Sequence, residues 1–361
     1  MSSSSPSAAP AGALADLLSA VAPIDAEAAA AARARWDELA KPQGSLGRLE
    51  DLGATLAAIA GRVPAPVPER ARLIVCAGDH GAVASGASAW PSEVTAAIAA
   101  TICAGRAGAS ALARAVGCEV TVLDVGVASE LPAHPLLRSA RVRPGTADLT
   151  KEPAMTRAEA EAAIRAGFEA ATDAAAEADV LVTGDMGIGN TTAAACLVAT
   201  FTGRAAAEVT GPGAGAEPDQ MAHKMALVAG ALELHRPDPA DPLGALAAVG
   251  GLEHAALAGV ILGGAAARRP VILDGVNAVA AALVATALRP EALGYLVAGH
   301  RSPEPGATHG LAALGLAPLL EMGMRLGEGT GALLALPLLR AAARALAEMA
   351  TLAEAAAAAG G

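Results

Sequence analysis

The segment Val180–Thr192 constrains the fold more than any other. It reads Val-Leu-Val-Thr-Gly-Asp-Met-Gly-Ile-Gly-Asn-Thr-Thr and runs into an alanine-rich stretch. A short apolar, β-branched run of this kind suits a buried strand, and the alanine-rich stretch suits a helix. Strand, glycine loop and helix N-terminus together present free backbone N–H groups to an anion. Gly184, Gly187 and Gly189 let the backbone approach a ligand where a Cβ would block it. An ordinary tight turn is the plainer reading, but Asp185, Asn190, Thr191 and Thr192 crowd polar groups into the same loop.

Further strands are expected at 72–77, 119–125, 270–274 and 293–298, with helical stretches between them. Asp25 and Ser45 are expected N-caps, and Thr156 with Glu159 forms a capping box. Pro91 and Pro218 stand at favoured first helical positions. The alternation predicts an α/β fold: a doubly wound, mostly parallel sheet flanked by helices. The N- and C-terminal segments are expected to form a smaller helical lobe. The division is a disordered tail at 1–12, N-terminal helices of the small lobe at 13–70, an α/β substrate-binding domain at 71–326, and a catalytic loop with the C-terminal helix at 327–361. The proline-rich span 132–153 reads as a surface excursion over the site.

Composition narrows the function. Two Trp, one Tyr and two Phe in 361 residues leave the core to Leu, Val, Ile and Ala at close spacing. The net charge is −11 and no dense Lys/Arg run occurs, which speaks against a nucleic-acid partner. Cys76, Cys103, Cys118 and Cys196 lie far apart without C-x-x-C, so buried thiols in a reducing cytoplasm are expected, with neither zinc site nor disulfides. The N-terminus lacks the basic and apolar regions of a signal peptide. The apolar run 275–288 is too short to span a bilayer, and Asp274 and Arg289 bracket it.

Four glycine-rich loops are expected at strand ends on one edge of the sheet: 78–81, 184–189, 211–215 and 327–331. In an open parallel sheet that edge is where ligands bind. The best phosphate cradle is 211–215, because Lys224 follows and adds a formal charge. No G-K-[ST] follows the glycines, and G-x-G-x-x-G with a downstream acid is missing, which disfavours a Walker loop or a dinucleotide. Glu328 stands between two glycines after apolar residues, where partial desolvation would raise its pKa toward that of a general base. Asp185 is a second acid on that edge, and Asp79–His80 a polar pair of structural or functional use. No serine triad or metal-ligand spacing appears. The chemistry that remains is group transfer around a bound phosphate, with carboxylates handling the proton.

These residues resemble the nicotinate-nucleotide–dimethylbenzimidazole phosphoribosyltransferase family. The matching pieces are 41–50 (Lys-Pro-Gln-Gly-Ser-Leu-Gly-Arg-Leu-Glu), 77–81 (Ala-Gly-Asp-His-Gly), 184–192, 210–215 (Thr-Gly-Pro-Gly-Ala-Gly) with Ala222-His223-Lys224, and 325–331 (Arg-Leu-Gly-Glu-Gly-Thr-Gly), in the family's order. The resemblance implies transfer of phosphoribose from nicotinate mononucleotide to 5,6-dimethylbenzimidazole. The products would be α-ribazole 5′-phosphate and nicotinate, with inversion at C1′, for the nucleotide loop of cobalamin. It implies Glu328 as the catalytic base. Asp185, Gly187, Asn190, Gly211, Gly213 and Lys224 would hold the nucleotide, and Ser88, Ser92, Met186, Ile188 and Leu326 the bases. It further implies a cytoplasmic homodimer needing no metal or organic cofactor. The chain departs from the family's usual residues at Asp185 (often Glu), Ser92 (often Gln), Pro212 and Ala214. The departures bear on which base is accepted. A relative using another base and a non-catalytic nucleotide-binding protein are the competing readings, and an intact Glu328 argues against the second.

Overall fold

In the computed structural model, residues 12–359 other than 214 and 216 are described. The tail expected at 1–12 falls almost wholly outside them, as does Ala214. Helices α1 (Gly12–Ser19), α2 (Ala26–Glu38) and α3 (Arg48–Ala60) precede β1 (Ala71–Gly78). Then come α4 (Glu93–Cys103), α5 (Gly108–Val116), β2 (Cys118–Gly126), β3 (Leu137–Ser139), α6 (Arg157–Ala175) and β4 (Val180–Met186). Five helices follow: α7 (Asn190–Thr202), α8 (Ala206–Val209), α9 (Pro218–His235), α10 (Pro242–Val249) and α11 (Leu252–Ala266). The described chain continues through β5 (Val271–Leu273), α12 (Val276–Leu288), β6 (Leu296–Ala298), α13 (Pro305–Leu314), α14 (Thr330–Glu348) and α15 (Leu352–Ala359).

The strands form one parallel sheet in the order β3-β2-β1-β4-β5-β6. The chain winds outward from β1 in one direction and then returns to add β4 on its other side. The reversal opens a crevice at the carboxyl ends of β1 and β4, the position where such sheets bind ligands.

Two apolar layers cover the sheet. One packs α6, α11 and α12 through Ile164, Phe168, Leu257, Ile261 and Val284. The other packs α2, α3, α5 and α14 through Trp36, Leu56, Ala109, Leu336 and Leu339 against Leu73, Val75 and Val182 of the strands. Helices α2 and α3 thus pack with α14 in a core shared with the sheet, while α1 packs in the other layer against α6 and α11. Two helical stretches, Glu93–Val116 and Thr330–Glu348, are apolar and long enough to cross a membrane. In the first, α4 ends at Cys103, before Gly105 at positive φ. The second buries Leu333, Leu336, Leu339 and Leu346 inside the protein.

Alanine and glycine allow the closest helix packing here. A Cβ at Gly167 of α6 would overlap the Ala256 carbonyl, and one at Gly259 of α11 would overlap the Ile164 carbonyl. Backbone cannot yield as a side chain can. Gly259→Ala is therefore expected to destabilise the chain by about 2–3 kcal/mol, the upper range for overpacking. The denaturant midpoint checks this; an unchanged midpoint would show that α6 and α11 can separate freely.

Asp25 accepts from the Ala28 N–H at 2.9 Å and Thr156–Glu159 closes its capping box, both as expected. Ser45 does not cap α3. That helix begins at Arg48 behind Gly47, and the turn before it is closed by the Lys41–Glu50 ion pair at 2.7 Å. Two expected strands begin later than read: a 3-10 turn takes Pro290–Tyr295 ahead of β6, and β5 starts at Val271. The excursion 132–153 contributes β3 at the sheet edge, and none of its residues lines the main cavity.

Candidate active site

The crevice deepens into a cavity of about 620 Å³ beyond β4, β5 and β6. Its apolar wall is Trp90, Val94, Ile98, Met186, Ile188 and Leu326. Its polar wall is Asp185, Asn190, Asn277, Ser302, Glu304 and Glu328. The first wall suits apolar groups and the second suits groups that hydrogen-bond.

Glu328 is 6% exposed and takes φ +60°, between Gly327 at +81° and Gly329 at +86°. A non-glycine residue in this left-handed region costs on the order of 1 kcal/mol. The strain turns the carboxylate toward α5, where Oε2 accepts the Ala109 N–H at 3.1 Å. Burial pushes the Glu328 carboxyl upward and the nearby Asp274 charge adds to this, while the Ala109 N–H opposes both. Asp274 in turn accepts from the N–H groups of Gly329, Gly331 and Ala332 at 2.8–3.1 Å, fixing the loop to the start of α14.

Asp185 lies at the carboxyl end of β4. One oxygen, Oδ2, accepts from Asn190 Nδ2 at 2.9 Å and Asn277 Nδ2 at 2.7 Å. The other, Oδ1, is buried without a partner among the described residues. Burial first, and then the Asp274 charge, push this carboxyl up to about 7. The glycines around it are required by contact. A Cβ at Gly187 would overlap the Gly78 carbonyl, and one at Gly184 would come within 2.8 Å of the Glu328 carbonyl oxygen.

Lys224, from α9, is 3% exposed. Its Nζ donates to Thr191 Oγ1 at 2.7 Å and to the Gly211 carbonyl at 2.9 Å, leaving one of three protons without an acceptor among the described residues. Burial lowers its pKa to about 8, against the pull of Glu304. Gly213 has φ +55°, and a Cβ there would press on Lys224 Nζ at 3.0 Å and on Thr191 Oγ1 at 2.6 Å. Its N–H donates to Glu304 Oε1 at 2.7 Å.

Of the residues read from sequence, Asp185, Met186, Gly187, Ile188, Asn190, Gly213, Leu326 and Glu328 line this cavity. Ser88 and Lys224 line a smaller adjoining one that shares Asn190 and Thr191. Gly211 stands behind it as an acceptor for Lys224. Ser92 lines neither cavity and precedes α4. Only two of the four glycine loops follow strands. The 211–215 loop follows α8 and the 327–331 loop follows an irregular stretch, because both are built as entries to helices, α9 and α14. Sequence reading missed Asn277, Ser302, Glu304 and Arg325, which the fold brings to the cavity from separate connections. A signal existed for three of them: each follows a strand by a few residues.

Behind the site, Glu253 Oε1 lies 2.8 Å from both His80 Nε2 and His254 Nδ1, all fully buried. Their donor atoms sit within 4.8 Å of one another, and the ion pairs account for that proximity. The histidine spacing in the sequence gives no sign of this cluster.

A family model described as phosphoribosyltransferase matches residues 21–357. The nicotinate-nucleotide–dimethylbenzimidazole phosphoribosyltransferase of Salinispora tropica is 52% identical over 347 residues, 92% of this chain and 95% of that one. The protein of the same name from a Roseiflexus species is 50% identical, covering 95% of this chain and 97% of its own. The crystal structure of such an enzyme from Thermus thermophilus superposes with a TM-score of 0.87 at 49% identity, over 92% of this chain and 99% of that one.

Proposed function

The chain belongs to the phosphoribosyltransferase family, and from that premise we propose that it transfers phosphoribose from nicotinate mononucleotide to 5,6-dimethylbenzimidazole, releasing nicotinate and α-ribazole 5′-phosphate. One observation carries the assignment of roles: Glu328 is a buried carboxylate lining a single cavity that has both an apolar and a polar wall. The benzimidazole stacks within the apolar wall, near Met186, Ile188 and Leu326. One ring nitrogen attacks C1′ as the bond to nicotinate breaks. The other nitrogen then carries an acidic proton, which Glu328 takes. Lys224, Gly213 and the amides at the start of α7 hold the phosphate, with Gly211 fixing Lys224, and Asp185 and Asn190 hold the ribose. Attack from the face opposite the leaving nicotinate inverts the centre. Binding both substrates in line converts a bimolecular encounter into an intramolecular one. The proposed setting is a cytoplasmic homodimer; exposed Trp90, Met322 and Leu326 supply apolar surface for a partner.

Incubation with nicotinate mononucleotide and a panel of bases, following free nicotinate, tests the proposal. Release is expected, fastest with 5,6-dimethylbenzimidazole, and no release with any base would sink it.

The titrating groups set a pH profile. Asp185, at about 7, holds its two amide bonds more strongly when ionised, and Lys224, at about 8, must be protonated to attract phosphate. The kcat/KM for the nucleotide is therefore expected to rise through pH 7 and fall above about 8. A flat profile across that interval would separate both groups from nucleotide binding.

A further inference from the structure

The Asp79–His80 motif and the Gly250–His254 segment contribute no atom to either cavity wall described above. Yet a continuous buried line joins them to the site. His80 Nε2 lies 2.8 Å from Glu253 Oε1 in a hydrogen bond, and the same oxygen lies 2.8 Å from His254 Nδ1 as an ion-pair contact without hydrogen-bond alignment. His254 Nε2 lies 3.2 Å from Asn277 Oδ1, and Asn277 Nδ2 donates to Asp185 Oδ2 at 2.7 Å. The line thus crosses from the end of β1, through the start of α11, to the start of α12 and the end of β4.

The direction of each bond follows from what the groups can do. An ionised carboxylate only accepts, so the Asn277 amide must turn its NH₂ toward Asp185. That leaves its oxygen toward His254, which must then donate from Nε2. His254 can donate from Nε2 and also pair with Glu253 through Nδ1 when it is an imidazolium. Burial works against that charge, but Glu253 outweighs it and His254 is held above its ordinary value. Burial likewise works against the Glu253 charge, and the two imidazoles hold that carboxyl well below the usual range. A neutral His254 accepting at Nε2 would call for the opposite amide flip and a protonated Asp185.

We propose that His254 is a positioning residue which, held by Glu253 and His80, fixes the flip of Asn277 and thereby keeps Asp185 an acceptor for the Asn277 amide. The inference rests on the functional reading above, in which Asp185 holds the ribose. The charged or titratable groups set around Asp185 are His254 and Glu253 on α11, Cys76 on β1, Asp274 after β5, and Glu328 with its loop. His300 reaches this set through Asp274, at 3.3 Å.

A double-mutant cycle on the full chain tests the proposal, read as nicotinate release at saturating 5,6-dimethylbenzimidazole. Absence of turnover in the unsubstituted chain overturns the functional reading, and this inference with it. Given turnover, His254→Gln and Asn277→Ser are each expected to lower kcat/KM for the nucleotide about 10-fold. The double variant should also lose about 10-fold, not 100-fold, because both act through one amide. The acid limb of the pH profile should move upward in all three, since Asp185 loses a donor to its ionised form. Multiplicative losses with the acid limb in place would overturn the proposal and leave the line a packing feature. If His254→Gln does not fold, Glu253→Gln takes its place in the cycle with Asn277→Ser: losses that do not multiply support the proposal, and multiplicative losses overturn it.

Discussion

Glu328→Gln is expected to lower kcat by 10²–10⁴, the range for losing a positioned proton acceptor, while the KM for nicotinate mononucleotide stays near that of the unsubstituted chain. The substitution is close to a pure change of chemistry. Glutamine keeps the length of the side chain, and its amide oxygen can still accept from the Ala109 N–H that now meets Glu328 Oε2. It carries the same cost at φ +60° as glutamate, so the Gly-Glu-Gly turn is not relieved. The group that changes lies away from Lys224 and Gly213, so the phosphate contacts remain. A loss in kcat alone marks an interaction made only as the proton leaves the benzimidazole. Steady-state kinetics with varied nucleotide checks this, and a kcat within threefold of the original would remove Glu328 from the role of base. Glu328→Gly serves as the stability control. It relieves the strained φ but leaves the start of α5 without its carboxylate, so turnover should vanish without a large gain in stability.

The same contact explains why part of the fold could not be read from the chain. Helix α5 has no start signal: Ala107 stands at the N-cap without a side-chain bond. Its amide at Ala109 is satisfied instead by Glu328, 219 positions further along. Helix α14, which starts at Thr330, is likewise capped by Asp274 rather than by a neighbour in the chain. Where a cap is local, as at Asp25 and Thr156, the sequence marks the helix correctly. Strand β3 has three residues, too few for a pattern, and exists only because β2 offers it an edge. The strands at β1 and β4 were plain because both faces of each are covered, which demands near-continuous apolar runs. Glu328 and Asp185 stand out as acids beside glycines, and Lys224 as the cation that follows the 211–215 loop. Asn277 and the His80–Glu253–His254 line do not, because their meaning comes from the approach of α11 and α12 to the switch point between β1 and β4.

Lys224→Met is the second large effect, and its two halves point in opposite directions. Among the described residues the ammonium supplies a buried positive charge beside the 211–215 loop, with a proton left over after Thr191 and Gly211 are served, while Glu304 supplies the buried negative one. A hydrogen bond to a charged group contributes about 1.5–3 kcal/mol, so kcat/KM for the nucleotide should fall up to about 100-fold, most of it as a raised KM. The descending limb of the pH profile near 8 should disappear with the group that causes it. Stability should behave otherwise. The folded chain holds Lys224 at about 8, below the ordinary lysine value, so folding disfavours its protonated form. That penalty is full at neutral pH, where both states keep the proton, fades as pH rises from about 8, and is gone above the ordinary lysine value. Methionine fills a similar volume without a charge to desolvate. The melting temperature at pH 7 is therefore expected to stay within about 3 °C of the original or to rise, even though the Gly211 carbonyl loses its donor. Thermal melts at pH 7, set beside the kinetics, check both halves. A variant that binds nucleotide normally would move the phosphate site away from α9. A variant that loses binding and unfolds would make Lys224 a structural residue. Loss of binding in a fully stable chain is the pattern expected of a charge kept for its ligand at the expense of the fold.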